Sequence, residues 1–230
     1  MRKFSGVFVA MMAIAFIAAT STRADAALQL SLSESGFGTQ TFTDQLAGDL
    51  NPTPGVLLVS ESFGDYTLTI DIGQSKPILG SAAAPQLDLN FTVTTATPAT
   101  APLVLELTDT GFTGVGAGAL TIGGTSLNTG SYAAFWDPTN TPFGTPAADK
   151  IGSTINFGAG AFSGTASGAG PHSPLGAGGY SLTQVVTIDM GGKLGTTTGD
   201  ANLKVPEPAS LALFGMSLLG LAARRRRILG

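Results

Sequence analysis

The stretch 86-QLDLNFTVT-94 decides the fold. Leu87, Leu89, Phe91 and Val93 alternate with Asp88, Asn90, Thr92 and Thr94. A period of two with one apolar and one polar face is the pattern of a half-buried β-strand, because successive side chains of a strand point to opposite sides. The same period extends outward in both directions. It holds Leu28, Leu30 and Leu32, then Tyr66, Leu68, Ile70 and Ile72, and then Leu103, Leu105 and Leu107. It returns late in the chain at Tyr180, Leu182, Val186 and Ile188, with Gln184 as the one interruption. Threonine is frequent on the polar faces, which suits a solvated sheet surface. Weaker strand patterns cover Thr39–Leu46, Val56–Phe63, Leu120–Ser126, Tyr132–Trp136 and Ala201–Val205.

These segments predict an all-β domain of about ten strands. The expected architecture is a single antiparallel β-sandwich with Greek-key or jelly-roll connections. Gly64-Asp65 is the sharpest turn signal and predicts a hairpin. From Gly111 to Gly179 there are 17 glycines in 69 residues. This region reads as short strands joined by Gly-rich turns, with a ligand-facing loop system as the alternative. No fixed-period repeat argues for a solenoid or propeller.

Both ends of the chain depart from this pattern. Met1-Arg2-Lys3 is basic, Phe4 to Ala19 is nearly all apolar, and Ala24-Asp25-Ala26 supplies an A-x-A site. That order predicts a secretory signal peptide over residues 1–26, a helix removed by signal peptidase after Sec export. The sandwich is then expected over 27–204. Its four lysines face 13 carboxylates, a net charge of about −9. Such a surface repels nucleic-acid phosphates, so no nucleic-acid partner is expected. The chain has no cysteine, so thiolate metal sites, iron–sulfur clusters and cysteine nucleophiles are excluded.

The last segment, 205–230, reads VPEPASLALFGMSLLGLAARRRRILG. Pro206-Glu207-Pro208 precede an uncharged run from Ala209 to Ala223, and Arg224, Arg225, Arg226 and Arg227 follow. Fifteen helical residues span about 22 Å at ~1.5 Å each, somewhat short of a ~30 Å bilayer core. The arginines should stay cytoplasmic and leave Pro206 outside. The prolines stop upstream extension of the helix and favour an extended backbone there. These three parts in this order resemble the PEP-CTERM sorting signal of Gram-negative bacteria that make exopolysaccharide. The resemblance implies a transmembrane helix at 209–223 and recognition by the membrane protease or transpeptidase exosortase. It also implies an inner-membrane-tethered intermediate that faces the periplasm, and a final place at the cell surface or outside the cell.

Within the body, the residues that could carry chemistry are few. Asp109-Thr110-Gly111 matches the tripeptide around an aspartic-protease aspartate, but that chemistry needs two such motifs and only one is present. It reads instead as a strand-ending turn, with Asp109 capping the backbone and Gly111 at positive φ. His172 is the only histidine, and no G-x-S-x-G elbow accompanies it. Glycines 114, 116 and 118 lack the rest of a dinucleotide fingerprint. No cofactor is required by any motif. The surplus of carboxylates would suit calcium, with Asp137 and Asp149 as candidate ligands. Tyr132 and Trp136 share strand parity beside Asp137, so an exposed pair could stack on a sugar; core packing is the alternative. No catalytic residue is assigned. The sequence predicts a non-enzymatic, exported structural or adhesive protein associated with exopolysaccharide. The alternative is a secreted carbohydrate-binding module or a glycan hydrolase.

Overall fold

The computed structural model describes residues 28–206. The signal segment with Ala24 and Ala26, and the tail from Glu207 through Arg227, lie outside the described residues.

Twelve strands form the domain. They are β1 (Gln29–Glu34), β2 (Gly38–Thr43), β3 (Val56–Phe63), β4 (Tyr66–Gln74), β5 (Gln86–Thr95), β6 (Leu103–Phe112), β7 (Gly118–Ser126), β8 (Thr129–Asp137), β9 (Lys150–Phe157), β10 (Gly160–Gly168), β11 (Tyr180–Asp189) and β12 (Gly195–Lys204). A single 3-10 turn, Ala147–Asp149, precedes β9. One sheet has the order β2-β1-β6-β11-β8-β9 and the other β10-β7-β12-β5-β4-β3. Every pairing is antiparallel.

The order is that of a jelly roll. Strands β5 to β12 wind between the sheets so that β12 lies between β5 and β7, and β11 between β6 and β8. The hairpins β1–β2 and β3–β4 extend the two sheets along one side. Leu87, Leu89, Phe91 and Val93 face inward, as do Leu103, Leu105 and Leu107 across from them, and all seven are inaccessible to solvent. At ~1.5–3 kcal/mol per buried large apolar side chain, these two central strands anchor the core.

The structure departs from expectation in three places. The strand count is twelve rather than about ten, because β9 and β10 emerge from the Gly-rich region. KIGSTINF and GAFSGTASG lack a continuous apolar face, and both form sheet edges where one side needs no partner. The alternation of β4 also breaks. A register irregularity after Leu68 turns Gly73 toward the core, and leaves Ile72 half-buried opposite Leu58. Third, Asp109 does not end a strand: it lies inside β6 and is fully buried. Gly111 does take positive φ, at 73°.

The β3–β4 hairpin forms at Gly64-Asp65 as predicted, with Phe63 opposite Tyr66. Gly64 sits at φ 57°, and a Cβ there would collide with the Glu34 carboxylate. That carboxylate accepts a hydrogen bond from the Asp65 amide at 3.0 Å and pins the hairpin to β1.

Candidate functional site

The sandwich has two ends, and one of them carries both termini. Leu28 enters β1 there, and Lys204 ends β12 opposite Gln86 and Ala119, the beginnings of β5 and β7. Val205 is buried and donates its amide to the Pro85 carbonyl at 3.0 Å. Pro206 is the first exposed residue beyond it. Gly116 takes φ 152°, a conformation that residues with side chains rarely adopt, and a Cβ there would lie 3.0 Å from the Pro206 carbonyl. The Gly116 amide in turn donates to the Pro171 carbonyl at 3.0 Å. Next to Pro206 these loops frame a mostly apolar open depression of about 500 Å³, lined by Val115, Gly116, Ala117, Ala169, Gly170, Pro171, His172 and Ser173.

Beneath this end lies a buried ion pair. Lys76 follows β4, and its Nζ donates to Asp109 Oδ2 at 2.7 Å and to the Thr110 carbonyl at 2.5 Å. Ser75 Oγ donates to the same carboxylate oxygen at 2.5 Å. The ammonium also stands 4.2 Å from the Phe112 ring centroid, a cation–π contact. Burial pulls the lysine below its usual range, and the Asp109 charge and hydrogen bond oppose that shift. With every oxygen of Asp109 engaged inside the core, this D-T-G has the chemistry of a structural brace.

The aromatic pair is corrected. Tyr132 and Trp136 do share one face of β8, as their parity predicts, but that face is the interior. They are 0% and 5% exposed. Strand β8 lies between β11 and β9, and its inward side meets the opposite sheet. Tyr132 Oη donates to Gln184 Oε1 at 2.9 Å. Gln184, the interruption in the β11 pattern, is therefore a core residue matched to a tyrosine. Trp136 packs edge-on against His172 and Tyr180, with ring centroids 5.1 and 5.9 Å away. Neither ring offers a face to a sugar. The Asp137 carboxylate accepts from the Thr139 amide and hydroxyl at 2.8 and 2.7 Å, which fixes the turn after β8. Asp149 sits in the 3-10 turn. Among the described residues no group of three or more His, Cys, Asp or Glu is placed to hold a metal.

A feature that sequence reasoning missed is the outer face of the sheet β10-β7-β12-β5-β4-β3. Cross-strand register aligns Thr121, Asn202, Asp88 and Gln74 in one row, and Thr125, Thr198 and Thr92 in another. Asn202 Nδ2 donates to Asp88 Oδ1 at 3.2 Å. Desolvation, together with Asp200 on the neighbouring strand, lifts the Asp88 carboxyl to about 6 against the opposing Asn202 bond. The polar positions of each strand were legible, but their alignment needed the strand order.

Comparison with known proteins locates the tail first. Residues 204–227 match the PEP-CTERM protein-sorting motif, so the chain carries that motif beginning at the last residue of β12. The motif implies processing by exosortase and passage through a membrane-anchored stage. No curated protein matches the chain. Among solved structures, a carbohydrate-binding module of the β-sandwich superfamily is similar at 11% identity over 79% of this chain and 74% of that one, with a TM-score of 0.33. The enzymatically active domain of tailspike protein 4 from bacteriophage CBA120 is similar at 10% identity over 79% of this chain, with a TM-score of 0.32; this chain spans 19% of its length. The module TmCBM61, in complex with β-1,4-galactotriose, is similar at 8% identity over 77% of this chain and 88% of that one, with a TM-score of 0.27. At these scores the likenesses carry no argument about a ligand.

Proposed function

We propose that this chain is an exported surface or extracellular-matrix protein. Residues 209–223 hold it for a time in the inner membrane, with the sandwich in the periplasm, and exosortase releases it at or near Pro206–Pro208. The released sandwich serves as a structural or adhesive component associated with exopolysaccharide in a biofilm. The observation that carries this reading is the junction itself. The sorting motif begins at residue 204, where the last strand stops, and Pro206 is already exposed. The folded domain ends and the processing handle begins within two residues.

The polymer-facing part of the proposal is supported by the outer sheet face. Rows of threonine hydroxyls with Asn202 and Asp88 present donors and acceptors on an open strand array. Such a surface can hydrogen-bond to the hydroxyls of an extended glycan without a cleft.

Two fractions test the proposal. Cells expressing the chain with Arg224–Arg227 replaced by alanine should accumulate it in the wrong compartment, whereas the native chain reaches the medium or surface. The released native protein should then cosediment saturably with the host's exopolysaccharide. Normal release of the alanine version sinks the sorting role, and absence of cosedimentation sinks the polymer role.

A further inference from the structure

Among the described residues five large apolar side chains are more than half exposed: Leu46 (63%), Leu50 (60%) and Ile78 (54%) stand on loops at the end of the sandwich that carries the chain exit, and Phe37 and Leu194 at the opposite end. Leu46 and Leu50 lie between β2 and β3, and Ile78 between β4 and β5. Three charged side chains of this end are engaged by the fold, while Lys204 at the exit is exposed. Asp44 accepts from the Gly55 amide at 2.7 Å, and Asp49 accepts from the amides of Gln45, Asn51 and Leu58. Lys76 is buried against Asp109. The opposite end carries Glu61, Asp65, Asp189 and Lys193 on and beside its turns.

We propose that the loop end bearing Leu46, Leu50 and Ile78 seats on the bilayer surface while the tail holds the protein in the membrane, with its leucines and isoleucine in the headgroup–acyl boundary. The inference rests on the membrane-anchored stage proposed above and adds an orientation to it. The position of the chain exit identifies the occupant. Pro206 and Ala209, where the apolar run begins, are three residue steps apart. Extended backbone covers at most ~3.3–3.6 Å per residue, so this end lies within about 10 Å of the membrane whenever the run is inserted. A surface held that close gains by placing apolar side chains at the interface.

The chain has no cysteine, so single introduced cysteines can be labelled uniquely. The full chain would be reconstituted into phosphatidylcholine vesicles with L46C, L50C or I78C carrying an environment-sensitive fluorophore. F37C and L194C, both exposed at the opposite end, serve as references. Flotation with the vesicles reports anchoring, and quenching by bromine-labelled lipid reports seating. The expected result is flotation of all five proteins, with labels at 46, 50 and 78 quenched at least several-fold more than those at 37 and 194. Flotation with equal quenching at both ends overturns the seating alone. Failure to float overturns the anchoring and the seating together.

Discussion

Lys76 and Asp109 face one another across the interior at 2.7 Å, one from the loop after β4 and the other from within β6. The two strands belong to different sheets, so the pair ties the sheets together just below the tail-bearing end. Removing one partner leaves the other charge without compensation in the core. Asp109→Ala should cost about 3–5 kcal/mol in denaturant unfolding. The double change Lys76→Met with Asp109→Leu should recover most of that loss, since it removes both charges at similar volume. A single Asp109→Ala as stable as the native protein would refute the brace.

Tyr132 and Gln184 make a smaller version of the same argument. Tyr132→Phe removes the donor to Gln184 Oε1 and leaves a carboxamide whose Nε2 already lacks a protein partner. The expected cost is about 1–3 kcal/mol. Adding Gln184→Leu should return stability to near the native value. Additive losses from the two changes, read in a double-mutant cycle, would show that the two side chains are not coupled.

Asp88 predicts an inverted pH response. Its carboxyl is raised from 3.8 to about 6, chiefly by desolvation and secondarily by Asp200. The folded state therefore holds this proton more tightly than the unfolded state. The contribution is fully present below about pH 4 and is lost as pH rises through 6. Desolvation raises Glu34, Asp44 and Glu106 in the same direction. Thermal scans should show the domain melting higher at pH 5 than at pH 7. Asp88→Asn should raise the melting temperature at pH 7, and its advantage should shrink as pH falls through 6. An advantage that is constant with pH would contradict this assignment.

Trp136 yields a stability prediction rather than a binding one. Its ring is enclosed by His172 and Tyr180, so Trp136→Ala should destabilise the domain by about 3–5 kcal/mol. Binding to exopolysaccharide, measured on the fraction that remains folded, should be unchanged. Loss of binding with full retention of stability would restore the ring as a contact residue.

The architecture was legible wherever strands were central. Leu87 to Val93 and Leu103 to Leu107 alternate cleanly because each is flanked on both sides and buried on one face. The edges β9 and β10 were not legible, because an edge strand next to solvent needs little apolar content and theirs is mostly Gly, Ser, Thr and Ala. Parity placed Tyr132 and Trp136 together but could not say which face was the core. Asp109 read as a turn residue because nothing local shows that Lys76, 33 positions away, would meet it. The Thr- and Asp-bearing sheet face had no sequence signature either, since its rows combine strands far apart in the chain. The tail is the opposite case: Pro206 to Arg227 acts through a contiguous order of residue types, and a contiguous order is what a sequence displays.

The most direct measurement is the intact mass of the protein recovered from the cell surface or medium of an exosortase-bearing host. The account predicts a single species that lacks residues 1–26 and ends at or near Pro206–Pro208, without the arginine block. A released protein that retains Arg224–Arg227 would contradict it.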